Sequence, residues 1–267
     1  MDLEPANPML EPAAADTTAQ LANPTVQATY IHLEPAKPAS TSVRKLELLL
    51  LLTIAIGPYL FNALYVYWYG ISEQDLSYVR VRLASGIIHE MSSLALLIYI
   101  LFRQGRALRN IGLSFRWLDI PVSVALFVLA YIAHYLCYLN IYYLHYFWTQ
   151  RRLEPWNNIS SILGTHASVA AILFILINPF FEELIARAYV MSEITALTKS
   201  VYVAGIVSVG MQALYHLYQG VPNALSVAAL FTVFSLYYGK SRRILPVILA
   251  HLYLDAIGTA YLYFRHH

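Results

Sequence analysis

Beyond Leu46 the chain is built from a succession of apolar stretches, each about twenty residues long and nearly free of charge, the length needed to cross a bilayer as a helix. Composition supports the same reading. Hydrophobic residues make up 59% of the chain and charged residues 12%, and the mean hydropathy is +0.55, against about 45–50% and about 25% in a soluble domain. The expected fold is all-α, a polytopic helical membrane protein. Seven transmembrane helices are expected, near residues 46–67, 84–102, 121–147, 168–190, 200–219, 223–239 and 244–264. The third is long enough to tilt or to extend past the lipid. Pro179 and Pro246 are expected to kink or cap the fourth and seventh.

The first 43 residues are different material. They hold six of the twelve prolines, and Leu-Glu-Pro-Ala occurs at 3–6, 10–13 and 33–36. So little apolar surface cannot offset the entropy of ordering, and an acidic, Pro-rich disordered tail is expected over 1–43, followed by a membrane domain over 44–267. The repeat spacing is irregular, which argues against a solenoid. Asp2 and Glu4 stand where a secretory signal would be basic.

The distribution of Lys and Arg gives an orientation. Arg44 and Lys45 precede the first span, Arg103, Arg106, Arg109 and Arg116 follow the second, and Lys240, Arg242 and Arg243 separate the last two. With seven spans these clusters share one side, so the N-terminus is expected inside the cell membrane and the C-terminus outside. Segment 71–83, with Glu73, Asp75, Arg80 and Arg82, is expected outside the hydrocarbon, and Asn158-Ile159-Ser160 matches a glycosylation acceptor on the outer face. A net charge of +2 with no basic cluster of the right kind argues against a nucleic-acid partner. The lone Cys137 allows no disulfide within the chain and reads as a packing residue. Oligomeric state is not encoded in any feature of the sequence.

Against this apolar background, ionisable residues in three of the last four spans stand out. A charge at the bilayer centre costs at least about 2.5 kcal/mol, so such groups face one another or a water-filled cavity. Glu182 and Glu183 point about 100° apart on an α-helix. Glu183 and Arg187 fall on one face and are expected to pair, leaving Glu182 less compensated and suited to general-base work. His251 and Asp255 also share a face, where a carboxylate can fix the imidazole's tautomer or share a metal ion with it. His216 lies at the outer end of the fifth span as drawn. His89-Glu90 opens the second span, and His134 and His145 in the third read as interhelical hydrogen-bonding groups.

Taken together, the run Phe181-Glu182-Glu183-Leu184-Ile185-Ala186-Arg187, His216, and His251-Leu252-Tyr253-Leu254-Asp255 resemble the CPBP (Abi, or CAAX-protease-like) intramembrane proteases, over about residues 165–260. That family has E-E-x-x-x-R, F-x-x-x-H and H-x-x-x-N/D on three helices; here Gln212 stands where the second motif has Phe. The resemblance implies an intramembrane endopeptidase of the type II CAAX prenyl kind, acting on membrane-associated peptides or proteins that include prenylated ones. It implies that Glu182 activates water, His216 assists, and His251 with Asp255 stabilises the oxyanion, with Glu183 beside them and Arg187 as structural support. An ionised Asp255 would repel an oxyanion where an asparagine would donate to it. Asp255 is then protonated, or orients His251, or helps bind a metal. A Zn²⁺ site would draw on His216, His251 and a carboxylate from Glu183 or Asp255; metal-free chemistry is the slightly favoured alternative. By the expected boundaries His216 lies about 15 Å from the depth of Glu182 and His251. Two non-enzymatic alternatives use the same residues or the tail: a transporter or proton relay, and a scaffold that binds through its Pro-rich segment.

Overall fold

The computed structural model describes residues 40–70, 76–153 and 168–265, and their regular structure is entirely helical. Most of the expected tail, the acidic residues of segment 71–75 and the Asn158 triplet lie outside the described residues. In chain order the elements are α1 (Thr41–Ala55), α2 (Gly57–Tyr69), α3 (Leu76–Arg103), a 3-10 turn (Leu108–Ile111) and α4 (Asp119–Thr149). Then come α5 (Val169–Glu182), a π-helical segment (Glu183–Tyr189), α6 (Val190–Thr198), α7 (Val201–Tyr215), a second 3-10 turn (Leu217–Gln219), α8 (Val221–Ser241) and α9 (Leu245–Arg265).

Local chemistry sets many of the ends. Ser40, Ser168 and Ser200 cap α1, α5 and α7, their side chains accepting from Val43, Ala171 and Val203 backbone N–H. Pro58 and Pro222 occupy first-turn positions of α2 and α8, where a missing N–H costs nothing, and Pro246 likewise sits in the first turn of α9. Gly112 has φ +97°, and a Cβ there would lie 2.2 Å from the Arg242 carbonyl oxygen. Only glycine permits this approach of the α3–α4 connection to the α8–α9 connection, where Ile244 N–H donates to Gly112 C=O.

The expectation of seven spans is not confirmed. Among the described residues, four stretches are long and apolar enough to cross: Val81–Arg103, Asp119–Thr149, Val169–Thr198 and Val221–Ser241. A fifth results if α1 and α2, bent by 45° at Ile56, count as one span. The remaining apolar helices, α7 and Leu245–Tyr261, are shorter. α7 rises about 22 Å, less than the roughly 30 Å hydrocarbon core. The chain is nevertheless helical across each of the seven expected segments; hydropathy marks apolar helix but does not separate a full crossing from a partial one. α3 is already helical from Leu76, and its membrane-length apolar stretch starts at Val81.

One end of the bundle is tied by ion pairs that gather the basic clusters. Arg44 and Arg106 both bind the buried Glu193 at 2.7 and 2.5 Å, Arg103 and Gln104 bind Glu47, and Arg243 grips Asp119 with two short bonds. Tyr238 on α8 links this end to the core by donating to backbone carbonyls of Ile111 and Ala188. α4 packs on α8 and α9, α3 on α5, and α7 on α6 and α8. Cys137 on α4 lies 3.7 Å from the Leu225 carbonyl of α8, in keeping with a packing role.

Candidate active site

The hydrogen-bond register changes at the acidic pair. α5 ends on Glu182, and Glu183–Tyr189 forms a π-helical segment, with i→i+5 bonding that widens the helix. Glu182 and Glu183 themselves keep α-helical dihedrals, so their side chains still diverge along the helix. Both carboxylates are buried, and each brings an oxygen within 4.8 Å of a His251 ring nitrogen and of the other. Pro179, one turn earlier, lacks the N–H that would bond the Ile175 carbonyl.

Glu183 proves to be shared. Its Oε1 accepts from His251 Nδ1 at 2.7 Å, and its Oε2 lies 3.2 Å from Arg187 Nε. Glu183 and Arg187 are wholly inaccessible. The expected Glu183–Arg187 pair is present, but the carboxylate that orients His251 is Glu183 and not its helical neighbour Asp255. Asp255 Oδ1 stands 3.7 Å from His251 Nε2, beyond hydrogen-bond reach, and Asn178 hydrogen-bonds the Asp255 carboxyl.

Glu182 is held from α7. Gln212 Nε2 donates to its Oε2 at 3.1 Å, and Tyr215, whose hydroxyl accepts from the same amide at 2.9 Å, also bonds it. Gln212, where the resembled motif has Phe, thus anchors the carboxylate; the signal was an amide in an apolar span. His216 caps α7 just where the helix stops. Its Nδ1 lies 2.8 Å from the Gln212 carbonyl, which can only accept, so the proton sits on Nδ1 and the Nε2 lone pair is free. Gly220 at φ +81° then turns the chain into α8.

The expected 15 Å offset of His216 is absent. α7 stops at Tyr215 instead of continuing to residue 219, and the preceding span runs to Thr198, which moves Glu182 to its middle. Glu182, His216, His251 and Asp255 all line one cavity of about 560 Å³. Irregular backbone at membrane depth is tolerated where it borders such a cavity. Phe231 of α8 separates the charged groups: its ring meets those of His216 and His251 at 5.5 and 5.6 Å, with the Arg187 guanidinium 4.1 Å above it. Reading the sequence did not single out Phe231, which looks like any apolar residue of its span. His89 and Tyr59 line the cavity as well, and Tyr59 donates to the buried Glu90 at 2.8 Å.

The donors fit a zinc site poorly. Among the described residues, the group with metal-ligand proximity is Glu182, Glu183 and His251, so the set expected around His216 does not form. Within the group, Glu183 Oε1 is hydrogen-bonded to His251 and Oε2 faces Arg187 as an ion pair without a hydrogen bond, and the neighbouring guanidinium opposes a cation.

Buried carboxylates and imidazoles thus converge on a cavity inside the apolar helical bundle of a membrane protein. Residues 164–257, which carry all three motifs, match the family model described as Type II CAAX prenyl endopeptidase Rce1-like. That match supports CAAX-type intramembrane endopeptidase activity in general, hence a hydrolase. No curated protein and no solved structure matches the chain.

Proposed function

We propose that the protein is an intramembrane endopeptidase that hydrolyses membrane-associated peptides or proteins, prenylated CAAX-type chains among them, without a metal. The observation that carries this reading is the meeting of Glu182, His216 and His251, from three separate helices, at one cavity within the bundle. In this mechanism Glu182, held by Gln212 and Tyr215, takes a proton from water while the free Nε2 of His216 accepts the water's second hydrogen bond. The oxygen bonds to the scissile carbonyl carbon, and the resulting oxyanion is held by His251, whose Nδ1 side is fixed on Glu183. The C–N bond then breaks, and the proton on Glu182 passes to the leaving amine. Asp255, bonded by Asn178, adds negative charge on the cavity side of His251, and Arg187 neutralises Glu183.

The basic end of the bundle is assigned to the cytoplasmic side of the cell membrane, with the N-terminus inside, on the rule that Lys and Arg are retained there. The test is cleavage of a prenylated CAAX peptide by purified protein in liposomes, with products identified by mass. Cleavage by wild type and none by Glu182→Gln or His216→Ala is expected; undiminished activity in both variants would overturn the assignment.

A further inference from the structure

The connection into α4 holds apolar side chains outside the bundle. Phe115, Trp117 and Leu118 are 57%, 79% and 72% exposed in the segment just before Asp119. The fold nevertheless fixes this segment in place. Arg243 grips Asp119 and reaches the Ser114 carbonyl, Arg116 N–H donates to Asp119 at 2.7 Å, and the Phe115 and Trp117 rings meet edge to face at 5.2 Å. Charge gathers at the same place. Residues 104–119 and 240–246 contain six arginines and lysines against one carboxylate, Asp119. Arg106 and Arg243 are engaged by Glu193 and Asp119, whereas Arg109, Arg116, Lys240 and Arg242 are exposed and belong to none of these ion pairs. The other carboxylates of this end, Glu47 and Glu193, are already bound by Arg103, Arg44 and Arg106.

We propose that this surface binds an anionic phospholipid of the bilayer, its headgroup paired with the exposed cations and its acyl chains lying against Phe115, Trp117 and Leu118. Aromatic rings and arginine are the side chains suited to the level where hydrocarbon meets headgroup. A free phosphate would engage the cations alone; a lipid also covers the apolar side chains beside them. The contact has a use in the fold. α4 contains 31 residues, so it rises about 46 Å against a hydrocarbon core of roughly 30 Å. Interfacial aromatic and basic anchors, together with packing, set the tilt and depth of so long a helix. An anchor at residues 115–118 holds the start of α4 at headgroup level and leaves its surplus length to the other end. The depth of α8 and α9, on which α4 packs, is set with it. Lipid binding here requires the membrane reading alone and not the peptidase reading.

The test uses quenching of tryptophan fluorescence by brominated lipid. One form of the full chain keeps Trp117 alone, through Trp68→Phe, Trp148→Phe and Trp156→Phe; a second keeps Trp148 alone, 79% exposed at the opposite end of α4. Each is reconstituted in phosphatidylcholine vesicles containing a minor fraction of brominated phosphatidylglycerol or of brominated phosphatidylcholine. Near a lipid surface each cation strengthens association about fivefold, the equivalent of about 1 kcal/mol. Trp117 should therefore report phosphatidylglycerol bound at least about fivefold more strongly than phosphatidylcholine, and Trp148 should report no preference. Arg116→Gln with Arg242→Gln should remove most of the preference at Trp117, while Arg116→Lys with Arg242→Lys keeps it and shows that charge, not altered folding, is responsible. Equal quenching of Trp117 by the two lipids overturns the proposal. So does an equal preference at Trp148, which marks general attraction to the vesicle surface, or a preference at Trp117 untouched by the double glutamine substitution. Loss of the preference when inorganic phosphate replaces chloride at equal ionic strength marks an anion site without lipid selectivity and also overturns it.

Discussion

Replacing Glu183 by Leu tests how the buried charges divide between folding and chemistry. The variant strands Arg187, whose side chain is wholly inaccessible and whose nearest anion is Glu183 at 3.2 Å. It also removes the acceptor 2.7 Å from His251 Nδ1. Breaking a buried pair from one side costs about 3–5 kcal/mol, because the remaining charge is uncompensated. At about 2–4 °C per kcal/mol for a chain of this size, the melting temperature should fall by about 6–20 °C. Removing both partners, as Glu183→Leu with Arg187→Met, takes away the stranded charge and should recover most of that loss. Activity should not recover, because His251 still lacks its carboxylate. Thermal unfolding in detergent, followed by intrinsic fluorescence, measures the first effect, and peptide cleavage per folded molecule measures the second. A double variant that melts as low as Glu183→Leu, or one that regains cleavage, would refute the assignment of Glu183 to both jobs.

Four other outcomes follow from the geometry. Gln212→Leu removes the amide that donates to Glu182 but keeps the backbone carbonyl that fixes His216; a loss of about 1.5–3 kcal/mol should appear as a roughly tenfold to hundredfold fall in kcat with KM little changed. Gly112→Ala sets a Cβ against the Arg242 carbonyl at positive φ, so unfolding measurements should show a loss of about 2–4 kcal/mol while kcat per folded molecule is kept. For Asp255, the asparagine variant should stay active and the alanine variant should lose activity, since Asn178 can bond either carboxamide or carboxylate; dialysis against a zinc chelator should leave wild-type cleavage unchanged, and its abolition would reinstate the metal.

Much of this architecture was readable in the chain because bilayer length and charge exclusion act on composition directly. The apolar runs marked the helices of the bundle apart from α6, which lies beyond the expected end of the fourth span, and the charges inside them marked Glu182, His216, His251 and Asp255, which line one cavity. What escaped depends on hydrogen-bond register and depth. The Glu183–Arg187 pair was foreseen from its spacing, but the π-helical register of Glu183–Tyr189 and the approach of both glutamates to His251 were not. Gly220 and Pro222 hinted that α7 would stop early, but apolar residues up to 218 let the run be drawn as a full span. Gln212 was read as a missing phenylalanine, although Phe231 of the next helix packs on His216 and the amide serves Glu182.

The central claim is that Glu182 activates the hydrolytic water. Its most direct test is the single-turnover rate constant of Glu182→Gln against wild type at saturating substrate, on chelator-treated protein, with substrate affinity measured in parallel. General-base catalysis contributes about 10²–10⁴ in rate. A fall in that range with unchanged affinity is the predicted result. A rate within a few-fold of wild type would contradict the account.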